Sequence, residues 1–264
     1  MRLSINLFTI YVFICAITSM IILNSNKVIA QDVQIPKLPG LNKEDEHRQT
    51  VDVSEEPWQI IGKVQTNAGQ KCTGFLISPR IVVTAAHCLW IKKTKQFFAP
   101  QSIHFLLGYQ RQKYKIAASV SRILSFEAYR DLMMNRVNNL ILNKPLDDIV
   151  SDRVYLLLSK DILPASKLVP LAKELPVEKT PLWLGGYEQD RQEVLYADKN
   201  CEISERVYYP DTPSKLFHTC QATYGSSGAP LFTKNTDGKW TIVGIQVAAF
   251  DGKSGGIAGS LIQK

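Results

Sequence analysis

The chain repeats a pattern of short apolar runs separated by turn residues. The runs are rich in branched and aromatic residues and read WQIIGKVQ, CTGFLIS, RIVVTAA, SIHFLLGY, YKIAASVSRIL, VYLLLS, PLWLGGY, EVLYA, APLFT and WTIVGIQVAAF. Turn residues interrupt them at intervals of roughly ten residues, and long helical periodicities are lacking. Short strands at this spacing are typical of an all-β sandwich or barrel. We therefore predict an all-β fold that begins near Val51.

The amino terminus has a different composition and predicts an export signal. Arg2 precedes a nearly continuous apolar run over residues 3–23, and residues 28–30 supply small or branched side chains where a signal peptidase would cut. Residues 1–30 are therefore predicted to be a signal peptide, and the protein to be secreted or periplasmic. An uncleaved membrane anchor is the alternative, because the run is long enough to span a bilayer. No later apolar run approaches that length, which predicts no stable membrane association after signal cleavage.

Residues 31–50 are predicted to be a pro-segment or flexible leader. They are polar, contain Pro39 and Gly40, and include the charge run NKEDEHR. That composition suits a linker better than a packed element. Cleavage after Arg48 is one way in which this leader could be released. The remaining residues, 51–264, form the predicted β domain.

The cysteines that remain after export form an even set in an oxidising compartment. Cys15 leaves with the signal, which leaves Cys72, Cys88, Cys201 and Cys220. Four cysteines allow three connectivities, and the simplest joins the two close pairs, Cys72 with Cys88 and Cys201 with Cys220. Each disulfide would close a loop of fifteen to twenty residues and stabilise the fold by about 3 kcal/mol, because it lowers the entropy of the unfolded chain. A zinc site is the alternative, but it wants short CxxC spacings that are absent. One pair in each half favours two small barrels over one large barrel.

Charge argues against a nucleic-acid partner. Removal of Arg2 and Lys27 with the signal lowers the formal net charge from +7 to +5. Lysines and arginines are scattered, and no basic stripe interleaved with aromatic residues is present. Three of the four histidines, His47, His104 and His218, have no acid or cysteine at ligand spacing, so we predict no metal and no other cofactor.

Two motifs contain candidate catalytic residues. In RIVVTAAHCLW, His87 ends a buried-looking strand and precedes a cysteine; alone, it would be read as a core histidine with one backbone bond. In TYGSSGAPLF, Ser227 lies in a tight turn with Gly225 and Gly228, where the amides of Gly225 and Ser227 could converge on an oxyanion. An isolated GSSG is usually an ordinary polar turn. An α/β-hydrolase esterase would need G-x-S-x-G, and the second glycine here comes one residue too early.

Together the two motifs closely resemble those of the chymotrypsin-like serine endopeptidases, in particular the secreted bacterial trypsin-like and glutamyl-endopeptidase-like branch. CTGFLISPRIVVTAAHC is followed, 140 residues after His87, by Ser227 in GSSGAPL, and the resemblance covers residues 51–262. It implies two six-stranded antiparallel β-barrels with the active site in the cleft between them. It also implies that His87 is the general base, Ser227 the nucleophile, and the amides of Gly225 and Ser227 the oxyanion hole. The expected protein is a monomer that cleaves polypeptides and forms an acyl-enzyme.

The same resemblance offers two registers for the acid of the catalytic triad. The family places that acid at the start of a strand reading D-[IL]-x-[LM]-L-x-L, and Asp131 opens DLMMNRV at 44 residues after His87. Anchoring on LNKPL instead places Arg136 at the acid position, with Asn138 and Asn139 in a normally apolar strand. We favour Asp131. The Arg136 register predicts a broken triad and motivates the alternative function, a catalytically impaired serine-protease homologue that acts as a secreted binding protein.

Motif position also implies a specificity pocket. Gln221 is expected at its base, and GIQVAAF supplies the wall residues Gln246, Val247 and Ala249. The base has no acid, which argues against a strong preference for arginine or lysine, and Gln246 stands where glutamate-selective relatives have a histidine. Ser226 replaces the aspartate that pairs with the new amino terminus in the animal enzymes, which argues against that route of activation.

Overall fold

The computed structural model describes residues 38–42, 46–124, 152–209 and 214–261. Within these ranges the chain forms 15 β-strands and five 3₁₀ helices, which are Trp58–Ile60, Ala86–Leu89, Pro100–Ser102, Ala165–Lys167 and Gln189–Arg191. None of the helices in these ranges is long and apolar enough to cross a bilayer. The predicted all-β class is confirmed. The predicted signal peptide and the stretch that contains Asp131 and Arg136 lie outside the described residues.

Six strands of the first half form a closed antiparallel barrel. They are Ile61–Thr66 (β2), Lys71–Ser78 (β3), Ile81–Thr84 (β4), Ile103–Leu107 (β7), Ile116–Leu124 (β8) and Val154–Leu158 (β9). Their order around the barrel is β2, β3, β4, β9, β8, β7, and β7 pairs with β2 to close it. Burial alternates along β7 and β9, as the period of two in their sequences predicts. The inward side chains are branched or aromatic and fill the barrel.

Six strands of the second half close in the same way. They are Pro181–Gly186 (β10), Tyr196–Val207 (β11), Lys215–His218 (β12), Pro230–Lys234 (β13), Trp240–Ala249 (β14) and Gly256–Ser260 (β15). Their order is β11, β10, β13, β14, β15, β12, and the pairing of β12 with β11 completes the ring. The two predicted six-stranded antiparallel barrels are therefore confirmed. Between β4 and β7 the chain forms a small two-stranded sheet of Trp90–Ile91 (β5) and Gln96–Phe97 (β6).

Each barrel has its own disulfide bond. Cys72 of β3 is joined to Cys88, which follows β4, and Cys201 of β11 is joined to Cys220, which follows β12. Both predicted pairings are confirmed. The four sulfurs are therefore not available as zinc ligands, which removes the alternative that the cysteine count left open.

The predicted leader packs against the second barrel in the part that the structure describes. Gln49–Thr50 (β1) pairs with β11, the Gly40 amide donates a hydrogen bond to the Phe250 carbonyl at 2.7 Å, and Arg48 is buried. The domain boundary predicted at Val51 is therefore too late, and the prediction of a flexible leader is wrong for these residues. The prediction failed because backbone pairing and a buried ion cluster hold this segment, and neither produces an apolar pattern.

Candidate active site

The first barrel holds His87 beside a buried carboxylate. Strand β4 ends at Thr84, just before the 3₁₀ helix that contains His87, and strand β9 begins just after Asp152. Because β4 and β9 are neighbours with Thr84 opposite Val154, the two strand ends bring His87 and Asp152 together. Asp152 Oδ2 lies 2.5 Å from His87 Nδ1, and Asp152 Oδ1 accepts a hydrogen bond from the His87 amide at 2.8 Å.

Asp152 corrects the predicted assignment of the triad acid. Asp131 lies outside the described residues, and the Nδ1 atom of His87 that it was predicted to hold is bonded to Asp152. The prediction relied on a spacing of 44 residues, whereas Asp152 lies 65 residues after His87. The stronger signal is the apolar run VYLLLS, a predicted strand that Asp152 precedes with only Arg153 between them. The register that placed Arg136 at this position fails for the same reason.

The environment of the two side chains suits a general base. The Asp152 side chain is 7% exposed, and that of His87 is 37% exposed. A buried carboxylate at Nδ1 favours the tautomer in which Nδ1 has the proton, which leaves Nε2 as an acceptor on the accessible side of the ring. The same carboxylate would stabilise an imidazolium ion once Nε2 has taken a proton.

The second barrel supplies the turn that contains Ser227. Gly225 and Gly228 have φ angles of +92° and +87°, a conformation that residues with side chains rarely adopt. A Cβ atom at Gly225 would lie 2.4 Å from the Tyr187 carbonyl oxygen, and one at Gly228 would lie 2.1 Å from the Thr73 carbonyl oxygen. Both glycines are therefore required for the turn to approach its neighbours this closely.

The amides of Gly225 and Ser227 are available to bind an oxyanion. Neither amide donates a hydrogen bond to another group in the described part of the chain. The Tyr224 carbonyl accepts a hydrogen bond from the Gln189 amide at 2.6 Å. Because N–H and C=O point in opposite directions across a trans peptide, this bond directs the Gly225 N–H away from Gln189. Two unpaired amides flanking a serine provide the donors that a tetrahedral intermediate needs.

Thr73 of β3 connects the two barrels at this turn. Its hydroxyl donates a hydrogen bond to the Gly225 carbonyl at 2.9 Å and accepts one from the Tyr187 amide at 2.9 Å. Its backbone amide donates to the Ser227 carbonyl at 3.0 Å. One residue of the first barrel thus makes three hydrogen bonds to the backbone of the second barrel. Sequence analysis missed Thr73, because nothing in the strand CTGFLIS distinguishes it from any other polar position.

His87 and Ser227 line one cleft of ≈ 330 Å³. The structure therefore brings together the two residues that the motifs singled out, although they are 140 positions apart. The predicted wall residues Gln246, Val247 and Ala249 line the same cleft.

Gln221, predicted to form the base of the pocket, does not line this cleft. It is 1% exposed, and its side-chain oxygen accepts a hydrogen bond from the amide of His47 at 3.3 Å. The backbone amide of Gln221 donates a hydrogen bond to Asp198 Oδ2 at 2.7 Å. Asp198 Oδ1 lies 2.9 Å from His47 Nδ1. The leader thus packs against the position where a basic-selective pocket would have its acid.

A buried polar pair supports the wall of the cleft. His218 Nε2 lies 2.6 Å from Gln246 Oε1, and Gln246 Nε2 donates a hydrogen bond to the Ala248 carbonyl at 2.9 Å. Burial lowers the pKa of His218 to about 4, and the hydrogen bond with Gln246 opposes this shift only in part. The ring is therefore neutral at pH 7, and its Nε2–H group donates a hydrogen bond to Gln246 Oε1. Sequence analysis gave His218 no role, since the contact depends on pairing between β12, β15 and β14.

One group of potential metal ligands occurs in the described ranges. The ligand atoms of Cys72, His87 and Cys88 all lie within 4.8 Å of one another. The two sulfurs form a disulfide, so they are not thiolate ligands. His87 is left with the Asp152 carboxylate, which suits proton transfer better than metal binding.

The two barrels, with a histidine, an aspartate and a serine at their junction, define a protein of the chymotrypsin fold. The profile of the family described as Trypsin matches residues 46–262. The chain therefore belongs to the trypsin family.

The chain is also similar to one curated relative and to two solved structures. Serine protease 23 of Rattus norvegicus is 26% identical over 189 residues, which are 66% of this chain and 47% of that protein. The chain thus spans about half the length of this relative. A Glu endopeptidase solved in complex with MPD has a TM-score of 0.64 at 16% identity, over 83% of this chain and 92% of that one. An inactive serine-to-alanine mutant of Rv3671c from M. tuberculosis H37Rv has a TM-score of 0.51 at 17% identity. The match covers 76% of this chain and 81% of that one. The two structures show the fold alone.

Proposed function

We propose that the mature protein is a secreted serine endopeptidase that hydrolyses peptide bonds through an acyl-enzyme on Ser227. The observation that supports this most strongly is the Asp152 carboxylate at His87 Nδ1, in the cleft that Ser227 also lines. Membership of the trypsin family supports polypeptide substrates. Export, monomeric state and the bacterial branch within the family remain predictions from the sequence.

In the proposed acylation step each of the three side chains has one role. Ser227 Oγ attacks the carbonyl carbon of the substrate while His87 Nε2 takes the hydroxyl proton, and Asp152 stabilises the imidazolium. The substrate oxygen becomes negatively charged and is bound by the amides of Gly225 and Ser227. When the intermediate collapses, the C–N bond breaks and His87 gives its proton to the leaving amine. The product of this step is an ester on Ser227.

The deacylation step repeats the same roles with water as the nucleophile. His87 Nε2 takes a proton from water, and the resulting hydroxide attacks the ester carbonyl. The second tetrahedral intermediate uses the same two amides. Its collapse breaks the ester bond, returns the proton to Ser227 Oγ and releases the new carboxyl terminus.

The alternative function loses the observation that motivated it. A catalytically impaired homologue was suggested by the register that placed Arg136 where the triad acid belongs. The buried Asp152 carboxylate beside His87 supports the proposed endopeptidase over this alternative.

Active-site labelling tests the proposed function. A fluorophosphonate should react with purified mature protein at Ser227, and the protein should cleave an unstructured peptide. Ser227→Ala should abolish labelling and lower kcat by about 10⁶-fold. Ser226→Ala is the matched control, because the Ser226 hydroxyl is buried and donates to the Thr223 carbonyl at 2.5 Å; this variant should still be labelled at Ser227. Folded wild-type protein that is neither labelled nor active at neutral pH would contradict the proposal.

A further inference from the structure

We propose that Arg48 is a positioning residue that holds the oxyanion loop in its active arrangement. The oxyanion loop is defined here as residues 221–228, and the segment against which it packs, residues 187–191, is called the bracing segment. The inference rests on the proposed function, since it assigns Arg48 an effect on the turnover of Ser227.

Arg48 is a buried cation among carboxylates. Its side chain is 1% exposed, and its Nη2 atom lies 2.6 Å from Glu46 Oε2 and 2.8 Å from Asp190 Oδ2. Its Nη1 atom contacts Glu188, whose side chain is 3% exposed. Burial would raise the pKa of the Glu46 carboxyl, but the hydrogen bonds and charge of Arg48 outweigh this and hold that pKa below its ordinary value. Removal of Arg48 would leave the buried Glu188 carboxylate without its cation.

Two of the three acids that Arg48 contacts, Glu188 and Asp190, belong to the bracing segment, which contacts the oxyanion loop. The Gln189 amide, between Glu188 and Asp190, donates the 2.6 Å hydrogen bond to the Tyr224 carbonyl. That bond directs the N–H of Gly225. The Tyr187 carbonyl is the group that excludes a side chain at Gly225. Arg48 therefore fixes the segment that sets the orientation of one oxyanion donor.

The oxyanion loop has no charge of its own with which to hold this position. Its sequence, QATYGSSG, contains no ionisable acid or base at neutral pH. Ser226 uses its hydroxyl for the carbonyl of Thr223, three residues away within the same loop. The cation that secures the loop thus comes from a segment outside the second barrel's own strands, in residues that we predicted to be a removable leader.

The position of Arg48 has a consequence for maturation. The peptide bond after Arg48 leads directly into β1, which pairs with β11. A cut at this bond would separate Arg48 from the domain that it braces. The inference therefore places the amino terminus of the active protein before Arg48 and excludes cleavage after Arg48 as the activating step.

The test compares Arg48→Ala and Arg48→Lys with Arg80→Met as the control. Arg80 is also paired with an acid, at 3.6 Å from Asp161, but its side chain is 56% exposed and lies outside the bracing segment and the oxyanion loop. Two readouts are measured on each protein: kcat and KM with one peptide, and hydrogen exchange of the bracing segment and the oxyanion loop. Arg48→Ala should lower kcat about 100-fold, the effect of misplacing a catalytic group by roughly 1 Å, with little change in KM. Both segments should exchange faster, and Arg80→Met should change kcat less than about fivefold.

Rescue separates positioning from a general loss of structure. Added guanidinium should restore part of the kcat of Arg48→Ala, whereas sodium chloride at equal concentration should not. Arg48→Lys should be intermediate, because an ammonium group cannot reproduce the forked contacts of a guanidinium. If Arg48→Ala does not fold, Arg48→Lys provides the test, and unchanged kcat with unchanged exchange would overturn the inference.

The two readouts also distinguish this inference from the proposed function. If wild-type protein is inactive but Arg48→Ala loosens the oxyanion loop, the proposed function fails while the bracing role stands. If wild-type protein is active and Arg48→Ala matches it in kcat and exchange, the bracing role is wrong. Mass spectrometry of the active protein adds a third check, because an amino terminus at Gln49 would also overturn the inference.

Discussion

The two halves of the candidate active site are built by different means. In the first barrel, His87 and Asp152 lie at the ends of paired strands, and a disulfide anchors the residue after His87. In the second barrel, Ser227 and its flanking amides lie on a loop whose position depends on contacts from elsewhere in the chain. Sheet register therefore fixes the position of His87, whereas tertiary contacts fix the positions of Ser227 and the amides that flank it.

This difference predicts two kinds of mutational effect. A change at the first half should alter the chemistry of proton transfer while the geometry persists, because the strands remain paired. A change that moves the loop of the second half should alter the positions of the donors and lower kcat through geometry.

Among the variants that compare the two halves without removing the serine, the largest expected effect is at the first half. Asp152→Asn should preserve the fold and lower kcat by about 10⁴-fold, because an amide at this position favours the wrong tautomer of His87 and does not stabilise the imidazolium. KM should change little, since the acid acts after substrate has bound. Asp131→Asn is the control and should leave kcat unchanged. A large loss in Asp131→Asn with none in Asp152→Asn would return the assignment to Asp131.

The second prediction addresses the loop of the second half. Gly225→Ala should lower kcat by about 10²- to 10³-fold, the cost of losing one oxyanion donor, because a Cβ atom would collide with the Tyr187 carbonyl and displace the amide. Gly238→Ala is the matched control: Gly238 also has a positive φ, of +73°, but a Cβ there would meet no described atom within 4 Å. Equal losses of activity in the two variants would attribute the effect to backbone strain rather than to the collision.

The smallest predicted effect concerns stability behind the cleft wall. The pKa of His218 is about 4 in the folded protein, below the ordinary value of 6.5. The unfolded chain therefore binds more protons between these values, so the contribution of neutral His218 is fully present above pH 6.5 and is lost as pH falls towards 4. The loss should reach about 3 kcal/mol. Urea unfolding at several pH values should show this decline in the wild type and a shallower one in His218→Gln; identical slopes would contradict the prediction.

Much of the fold could be predicted because most strands are short runs of branched or aromatic residues between turn residues, and β7 and β9 also alternate in burial. The exceptions have physical reasons. Strand β15, GIAGS, is buried at every position and contains two glycines, so it shows no alternation and has one branched residue, Ile257. Strand β11 exposes several charged side chains over its 12 residues, which masks its buried positions.

The site was predictable where the chemistry is local and not where it depends on tertiary contact. His87 and Ser227 lie in motifs whose neighbouring residues define their surroundings. Asp152 was missed because the connection between β8 and β9 is longer than the spacing that we assumed. Arg48 and Thr73 act through hydrogen bonds to segments more than 100 residues away, and no local pattern reports such contacts.

The proton position on the His87 ring tests the central assignment most directly. Long-range ¹H–¹⁵N correlation of the neutral imidazole identifies which nitrogen has the proton, and it requires no substrate. We expect the Nδ1-protonated tautomer in the wild type and in Asp131→Asn, because Asp152 accepts a hydrogen bond from Nδ1–H in both. In Asp152→Asn the balance should shift towards the Nε2-protonated tautomer. An Nε2-protonated ring in the wild type, or a tautomer that changes in Asp131→Asn and not in Asp152→Asn, would contradict the account.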